Sequence, residues 1–243
     1  MSVANRPIVV LISADAEWDA VAQRLRAPLG GKSPFGGWLR LPLERRATRW
    51  DVVFFQGGWG KISAAASTQY AIDHFQPSLL INLGTCGGFA GAIAEGEVVL
   101  AEQTLVYDIL EQMGDADAHL AHYAITLNLN WLREPFPQPV VRTRLLSADR
   151  DLLPPQVPLL QQRYNALAGD WESGAIAFVA ARNQSPCLIL RQVTDLVSDR
   201  TGQIYGNLAA FQSRAAHTMQ MFLEVLPDWL LCVDEKLLAD SIL

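Results

Sequence analysis

The chain has 243 residues, of which 50% are hydrophobic and 18% are charged, a composition that indicates a compact globular protein and excludes a disordered or fibrous one. We expect one domain, spanning residues 1–243. The formal net charge is −6 and no basic run occurs, so we expect a small molecule as the partner, and neither a nucleic acid nor an anionic membrane.

Short runs of β-branched and aromatic residues predict six strands. In chain order they span residues 8–12, 50–56, 78–84, 96–106, 140–148 and 186–194. Several of these runs are apolar on both faces, which is typical of strands that are covered by helices on each side. The pattern predicts an α/β fold, a three-layer α/β/α sandwich around a mixed, largely parallel central sheet.

Helical patterns lie between the predicted strands. They cover residues 16–30 and 61–75. A long terminal helix covers 207–230, and we expect it to break near Pro227 because proline lacks the N–H that a helix interior needs. The stretch 111–139 is the least regular and predicts loops around a short helix, which we expect to form a lid or a contact surface rather than a linker.

The apolar runs near the two ends of the chain are too short for a signal peptide or a membrane span. The run "IVVLI" is followed by Asp15 and Glu17, and "FLEVLPDWLLCV" carries Glu224 and Asp228. The three cysteines are widely spaced and odd in number, so they form no disulfide framework. We therefore expect a cytoplasmic protein with reduced thiols.

Polar residues follow almost every predicted strand, at the carboxyl ends where open α/β sheets bind ligands. They are Asp15, Glu17, residues 57–61, residues 84–88, Tyr107, Asp108, residues 147–151, Thr194 and Asp195. Two of these positions are glycine clusters, "GGWGKISAAA" and "NLGTCGGFAG", whose exposed amides let a polar ligand approach the main chain. The second cluster fits neither G-x-G-x-x-G nor the P-loop pattern, so we do not expect a dinucleotide or a triphosphate.

Each of these signals alone also has an ordinary structural interpretation. The glycine clusters can form tight turns, Lys61 can be a surface charge beside such a turn, and Asp195 can cap a helix. Glu172 stands ahead of an apolar run of small residues. Since an unpaired buried charge is costly, we expect Glu172 either at a solvated helix start or in a pocket where a ligand satisfies it.

The possible metal ligands and the possible nucleophile are weaker signals. His119 and His122 are three residues apart, but they have no third ligand nearby and predict no metal site. Cys86 lies inside the second glycine cluster without a sequence partner that would mark it as a nucleophile. We expect neither a metal nor a cofactor.

Seven sequence blocks occur in an order that resembles one enzyme family. They are "IVVLISADAEWDAV", "GGWGKISAAAS", "INLGTCGGFAGAIAEGEVVLAE", "VYDI", "LLSADRDL", "GDWESGAIAFVA" and "LILRQVTDLVSD". They resemble the methylthioadenosine/S-adenosylhomocysteine nucleosidases, which belong to the superfamily of purine nucleoside phosphorylases and nucleosidases. The resemblance runs from about Ile8 to Leu226, except for residues 25–50 and 111–139. It implies a nucleoside phosphorylase-like fold and a homodimer, for which Trp59 and the segment "NLNWL" are candidate interface anchors.

The resemblance also implies a role for each polar residue in these blocks. Glu17, in "SADAE", matches the glutamate that activates water, and Asp195, in "RQVTD", matches the general acid for the leaving purine. Glu172, in "DWES", matches the glutamate that binds the ribose hydroxyls. The implied substrate-binding set is Glu172, Trp171, Thr85, Gly87, Asp149 and Arg191, with Thr85 near the attacking water.

Asn82 bears on whether water or phosphate attacks the sugar. The related phosphorylases carry an arginine for phosphate at this position, and an amide cannot supply its charge. Water is therefore the expected nucleophile, and the expected reaction is hydrolysis of a purine nucleoside to adenine and the thio-ribose. Lys61 is the nearby cation that could bind an anion from another direction.

Four departures from the family pattern affect the choice of substrate. Ala14 replaces a methionine beside the base, Trp171 replaces a methionine under the ribose, and Asp151 replaces an aromatic that stacks on the purine. The segment between Asp108 and Ser147 is also shorter. The sequence leaves other interpretations open: a futalosine- or AMP-type nucleosidase, a phosphorylase, or a non-catalytic nucleoside-binding module.

Overall fold

Strands and helices alternate along the chain in this computed structural model, which describes residues 6–239 and 242. The strands are β1 (Ile8–Ile12), β2 (Gly31–Ser33), β3 (Gly36–Arg45), β4 (Thr48–Gln56), β5 (Leu79–Phe89), β6 (Val98–Val106), β7 (Ala124–Thr126), β8 (Val141–Ser147), β9 (Ala166–Asp170) and β10 (Cys187–Val197). The helices are α1 (Asp15–Leu25), α2 (Lys61–Phe75), α3 (Ala116–His122), α4 (Val157–Tyr164), α5 (Ser173–Arg182), α6 (Leu208–Leu231) and α7 (Glu235–Leu238). The six predicted strands and the three predicted helices are confirmed, although α1 ends at Leu25 and not at residue 30, and β5 continues to Phe89 and not only to residue 84.

The apolar sequence of β1 explains why helices lie on both faces of the sheet there. β1 pairs in parallel with β4 and with β5. Ile8, Val10 and Ile12 belong to a core cluster with residues of α1 and α6. Val9 and Leu11 belong to a second cluster with residues of α2 and α5. Because successive side chains of a strand point to opposite faces, a strand that is apolar throughout needs cover on both sides.

Beyond β1 the sheet closes on itself. The strand order is β10-β6-β8-β9-β5-β1-β4-β3-β2, and β10 also pairs with β5, so β5, β9, β8, β6 and β10 form a closed ring. Parallel and antiparallel pairs both occur in this ring. The α/β class and the mixed sheet are therefore confirmed. The sequence pattern did not predict the ring. Because a closed ring of strands is not a flat layer between two layers of helices, the three-layer sandwich stays a prediction.

The ring closes at the glycines of β5. Gly88 pairs with Ala168 of β9 on one side and with Leu196 of β10 on the other. A methyl group built on Gly88 would lie 2.7 Å from both Ile93 Cγ2 and Val193 Cγ1, closer than van der Waals contact allows. Packing alone therefore requires a glycine at position 88, within the second glycine cluster.

The course of α6 corrects one prediction, because the helix continues through Pro227 without a break. Leu226, Trp229 and Leu230 are buried beside the proline. Their packing against the core offsets the roughly 3 kcal/mol that a proline costs in a helix interior.

The sequence pattern also missed four strands: β2, β3, β7 and β9. β2 and β7 have only three residues each, which is too short for a periodic signal. β3 pairs with β4 and with the edge strand β2, and it is only partly buried along most of its length. It also contains Pro42, and a proline within a run of residues argues against a strand when only the sequence is known.

The irregular stretch 111–139 contains the expected short helix, α3. Trp131 of "NLNWL", which we expected to anchor an interface, is instead partly buried against the cluster that contains α6 residues. The action of this stretch as a lid stays a prediction. None of the described helices is both long enough and apolar enough to cross a membrane.

We expect Gly88→Ala to lower the free energy of unfolding by about 1–3 kcal/mol, because an added methyl group in a filled core displaces its neighbours. Urea denaturation followed by circular dichroism measures this change. Gly114→Ala is the matched control, since a methyl group there meets only His119 Cε1, at 3.8 Å. A Gly88→Ala protein as stable as the control would contradict the crowding at β5.

Candidate active site

A cavity of about 670 Å³ opens at the carboxyl ends of several strands, where the sequence predicted a ligand site. Its lining consists of residues 14–17, Trp59, residues 85–87, residues 150–152, residues 169–172, Thr194, Asp195, residues 204–208, Phe211 and Gln212. Six of the predicted site residues are among them: Glu17, Thr85, Gly87, Trp171, Glu172 and Asp195. The other two, Asp149 and Arg191, do not line the cavity.

Glu17 is buried in the first turn of α1 and faces β5. Its Oε1 accepts hydrogen bonds from the backbone N–H of Thr85 (2.7 Å) and from Thr85 Oγ1 (2.9 Å). Burial raises the pKa of Glu17, against the opposing effects of Arg191 and of these hydrogen bonds. A carboxylate with a raised pKa accepts a proton more readily than an exposed glutamate does, as a general base requires.

Arg191 lies behind the cavity wall and is 1% exposed. Its Nε lies 3.0 Å from Asp170 Oδ2, and its other nitrogens lie 4.0 Å from Glu17 Oε1 and 3.7 Å from Glu172 Oε2. A methyl group on Gly84 would lie 2.1 Å from Arg191 Nη1, so only glycine leaves room for the guanidinium. Arg191 was expected to bind substrate, but it does not line the cavity. Its guanidinium instead neutralises the carboxylates around it.

Glu172 answers the question that its sequence raised, because it lies in a pocket and not at a solvated helix start. It precedes α5 directly, and its side chain caps no N–H of that helix. Glu172 Oε1 accepts a hydrogen bond from the backbone N–H of Gly60 at 3.0 Å. Burial raises the pKa of Glu172 to about 8. The charge of Arg191 opposes this rise, and the like charge of Asp170 adds to it.

Asp195 reaches the cavity because of a β-bulge. The pairing of β10 with β5 shifts between Val193 and Asp195, which pair with the consecutive residues Cys86 and Gly87. The strand also runs on to Val197, so Asp195 lies within β10 and caps no helix. Burial raises the pKa of Asp195 to about 6. Its carboxyl accepts no hydrogen bond from the part of the chain that the structure describes, which leaves it available to a ligand.

Two tryptophans form an aromatic wall at the rim of the cavity, next to Glu172. The ring centroids of Trp59 and Trp171 are 5.6 Å apart and the rings are tilted by 54°. Trp59 is 58% exposed, which is unusual for so large an apolar side chain. Trp171 and Trp59 therefore form an angled apolar surface at this end of the site.

Lys61 and Asp149 have partners other than a ligand. Lys61 Nζ contacts Asp108 Oδ1 and lies 3.7 Å from Asp149 Oδ2. The predictions that Lys61 is a surface charge or an anion ligand are therefore corrected, because two carboxylates already neutralise it. Asp149 was expected to bind substrate, but its carboxylate accepts a hydrogen bond from the backbone N–H of Lys61 instead.

The remaining candidates take no direct part in the site. Asn82 is fully buried and donates to Leu11 O, so it does not reach the cavity. Cys86 lines the cavity, but burial raises the pKa of its thiol, which makes it a poor nucleophile. His119 and His122 lie on α3 and contact Glu111 and Arg182 respectively.

Sequence reasoning missed two groups of residues at the site. Asp170 holds the site together by accepting hydrogen bonds from Ser147 Oγ (2.6 Å) and from the backbone N–H of Ser173 (3.2 Å). The available sequence signal was the position of Asp170. It follows the small apolar residues 166–169 and lies two residues before Glu172. The segment 204–212 closes one side of the cavity, and its only sequence signal was the pair of aromatics, Tyr205 and Phe211.

Comparisons with known proteins identify chains of similar sequence and fold. The chain is 26% identical over 188 residues to the 5'-methylthioadenosine/S-adenosylhomocysteine nucleosidase of Geobacillus kaustophilus, covering 72% of this chain and 79% of that protein. The apo structure of Arabidopsis thaliana 5'-methylthioadenosine nucleosidase matches with a TM-score of 0.71 at 22% identity, covering 92% and 97% of the two chains. Futalosine hydrolase of Helicobacter pylori matches with a TM-score of 0.68 at 14% identity, covering 92% and 98%. The two structural matches show a shared fold.

The model of the family described as the Phosphorylase superfamily matches residues 43–226, which is more than half of the chain. The resemblance inferred from the sequence blocks is confirmed, and the chain belongs to the phosphorylase superfamily.

Proposed function

We propose that this protein hydrolyses the N-glycosidic bond of a purine nucleoside, with 5'-methylthioadenosine or S-adenosylhomocysteine as substrate and adenine and the thio-ribose as products. One observation carries the proposal: Glu17 and Asp195 enter the same cavity beside two positions of one strand. The names of the curated relatives support the same reaction.

Thr85 and Gly87 mark where these two carboxyl groups lie along β5, so the spacing of the two backbone positions can be compared with that of known acid–base pairs. Glu17 is hydrogen bonded to Thr85, and a methyl group on Gly87 would lie 3.7 Å from Asp195 Oδ1. Residues two apart on a strand are separated by about 7 Å. This spacing is on the order of the separation of carboxyl groups in glycosidases that invert their substrate, where an acid and a base act on opposite sides of the bond with water between them.

The environments of the three carboxyl groups support a division of roles. Asp195, with its raised pKa, donates a proton to N7 of the departing purine, because the base is a poor leaving group as an anion. Glu17 accepts a proton from water on the other side of the sugar. Glu172 holds the ribose hydroxyls and stabilises the positive charge that develops on the sugar. Each acid or base contributes roughly 10² to 10⁴ in rate.

The surroundings of the cations support water over phosphate as the nucleophile. Arg191 and Lys61 are each neutralised by carboxylates. Arg150 is the cation among the described residues that line the cavity, and its guanidinium lies over the Tyr107 ring and donates to Gln156. A phosphate would therefore meet an acidic site without a dedicated cationic clamp.

The aromatic wall of Trp59 and Trp171 supports a substrate with an apolar 5' group. The wall adjoins Glu172 and lines the same cavity, and we propose that a ribose held by Glu172 places its 5' substituent against the indoles. A thioether gains from contact with such a surface. A 5'-phosphate gains nothing there and is repelled by the carboxylates, which disfavours an AMP-type activity.

Exposed apolar residues support the homodimer that the resemblance implies. Trp59, Ile62, Leu110 and Met113 are all exposed, and the contact of Lys61 with Asp108 brings their two segments together. We further propose a single domain over residues 1–243 in a nucleoside phosphorylase-like three-layer sandwich, a cytoplasmic location and a role in methionine salvage.

We expect Asp195→Asn to lower turnover by roughly 10² to 10⁴ and to change ligand binding by less than about tenfold, because the amide keeps a hydrogen bond but cannot deliver a proton. Release of adenine measures turnover, and calorimetry with a non-hydrolysable analogue measures binding. Asp199→Asn, at an exposed position on the following turn, is the control. Near-normal turnover of a folded Asp195→Asn protein would remove Asp195 as the acid.

The raised pKa of Asp195 gives the reaction a pH dependence. The protonated carboxyl is the active form, so kcat/KM should fall as the pH rises through about 6, by up to tenfold per pH unit. Loss at low pH should follow protonation of Glu17. Initial rates between pH 4.5 and 9 at constant ionic strength check this, and a rate that increases steadily up to pH 9 would contradict it.

We expect Glu17→Gln to lower the rate by about 10² or more, since the amide cannot accept a proton from water. Asp19→Asn, on the exposed side of the same helix, should leave the rate unchanged. Added phosphate should have no effect on the wild type, and mass spectrometry should identify the free sugar as the product. Recovery of a sugar 1-phosphate would show that the enzyme is a phosphorylase.

A further inference from the structure

Lys61, Asp108 and Asp149 form a closed network outside the cavity, which we call the Lys61 network. We propose that the Lys61 network positions Glu172 for the ribose by fixing the Gly60 N–H that donates to it. The proposal rests on the proposed function, and it makes Lys61 a positioning residue and not a ligand of substrate.

Four contacts define the Lys61 network. Lys61 Nζ contacts Asp108 Oδ1 and lies 3.7 Å from Asp149 Oδ2. The backbone N–H of Lys61 donates to Asp149 Oδ1 at 2.6 Å, and that of Asp149 donates to Asp108 Oδ2 at 3.1 Å. The network therefore joins the start of α2 to the segments that follow β6 and β8, which are distant in sequence.

Partial burial makes the Lys61 network stronger than a surface ion pair. The side chains of Lys61 and Asp108 are only 18% and 17% exposed. The contact between Lys61 and Asp108 at that depth is screened less by water and salt than an exposed pair, whereas the Asp149 side chain is 40% exposed. The two carboxylates also leave the cluster with a net negative charge, so it repels a phosphate.

The loop at residues 57–60 is held at its start by the hydrogen bond from Gly57 N–H to Ile12 O (2.8 Å), and the network contacts its other end, next to Gly60. Gly58 and Gly60 have positive φ angles of +73° and +84°, which glycine adopts at no steric cost. A methyl group on Gly60 would lie 3.3 Å from Asp149 Oδ1, so the Asp149 carboxylate packs directly against the glycine. Asp149 and Lys61 therefore help to fix the position of the Gly60 N–H, together with the hydrogen bond from Ala64 N–H to Gly60 O.

Glu172 depends on that N–H for its orientation. Gly60 donates to Glu172 Oε1 at 3.0 Å, whereas Oε2 lies 3.7 Å from Arg191 Nη2. These two groups hold the carboxyl from opposite oxygens. If the loop moves, the carboxyl loses the stronger of its two positioning contacts and can rotate away from the ribose hydroxyls.

The test is Lys61→Met, assayed on 5'-methylthioadenosine and on its 2'-deoxy analogue. Loss of a hydrogen bond to a charged group should lower kcat/KM by about 10- to 100-fold on the ribose substrate and by a smaller factor on the deoxy analogue, which makes fewer contacts with Glu172. Lys61→Arg should restore most of the activity, and Lys32→Met, at an exposed lysine, should change neither rate.

A second measurement does not depend on activity. Hydrogen–deuterium exchange, read by mass spectrometry, should become faster in Lys61→Met at residues 57–60 and stay unchanged in β1. Equal losses on both sugars, or unchanged exchange at residues 57–60, would overturn the positioning role. A wild type that releases no base from either nucleoside would overturn the proposed function instead, and the exchange result alone would then decide the role of Lys61.

Discussion

The site depends on the need to balance one buried guanidinium. Arg191 has almost no access to water, and an unpaired charge at that depth would destabilise the fold by several kcal/mol. Glu17 from α1, Asp170 from β9 and Glu172 from the start of α5 surround it, so charge balance draws three segments to one point. Burial raises the pKa of Glu17 and of Glu172, and the like charge of Asp170 adds to the rise at Glu172. A group of carboxyl groups around the site also favours a substrate that becomes positive during reaction. The interactions that assemble the site thus also supply its chemistry.

The glycines of β5 make that assembly possible, because they have no side chains. Gly84 leaves space for Arg191, Gly87 leaves space beside Asp195, and Gly88 lets the ring close against Ile93 and Val193. The same strand supplies Thr85, which holds Glu17. A single strand therefore connects the carboxyl groups of Glu17 and Asp195 with the buried cation, and its glycines serve both the packing of the ring and the shape of the cavity.

The sequence was a good guide to the parts of this arrangement that depend on local pattern. Apolar runs located β1, β4 and β5, and the rule that ligands bind at strand ends led to Glu17 and Asp195. The cost of an unpaired buried charge led to Glu172. Interactions between residues that are distant in sequence could not be predicted from such local patterns. Lys61 meets Asp108 and Asp149 across 47 and 88 residues, and nothing in the glycine turn indicates those partners. The closure of the ring likewise depends on which strands pair, and the half-exposed strand β3 lacks the continuous apolar run that marks a buried strand.

The bulge in β10 has a consequence for how relatives of this protein are recognised. Thr194 and Asp195 both line the cavity although they are consecutive, because one extra residue interrupts the alternation of the strand. A homologue that lost one residue here would regain a regular ladder and turn its aspartate away from the cavity. An alignment would still score the acidic residue as present, although the acid that we propose would no longer face the cavity. The count of residues between the arginine and the aspartate is therefore a better criterion for activity than the identity of either.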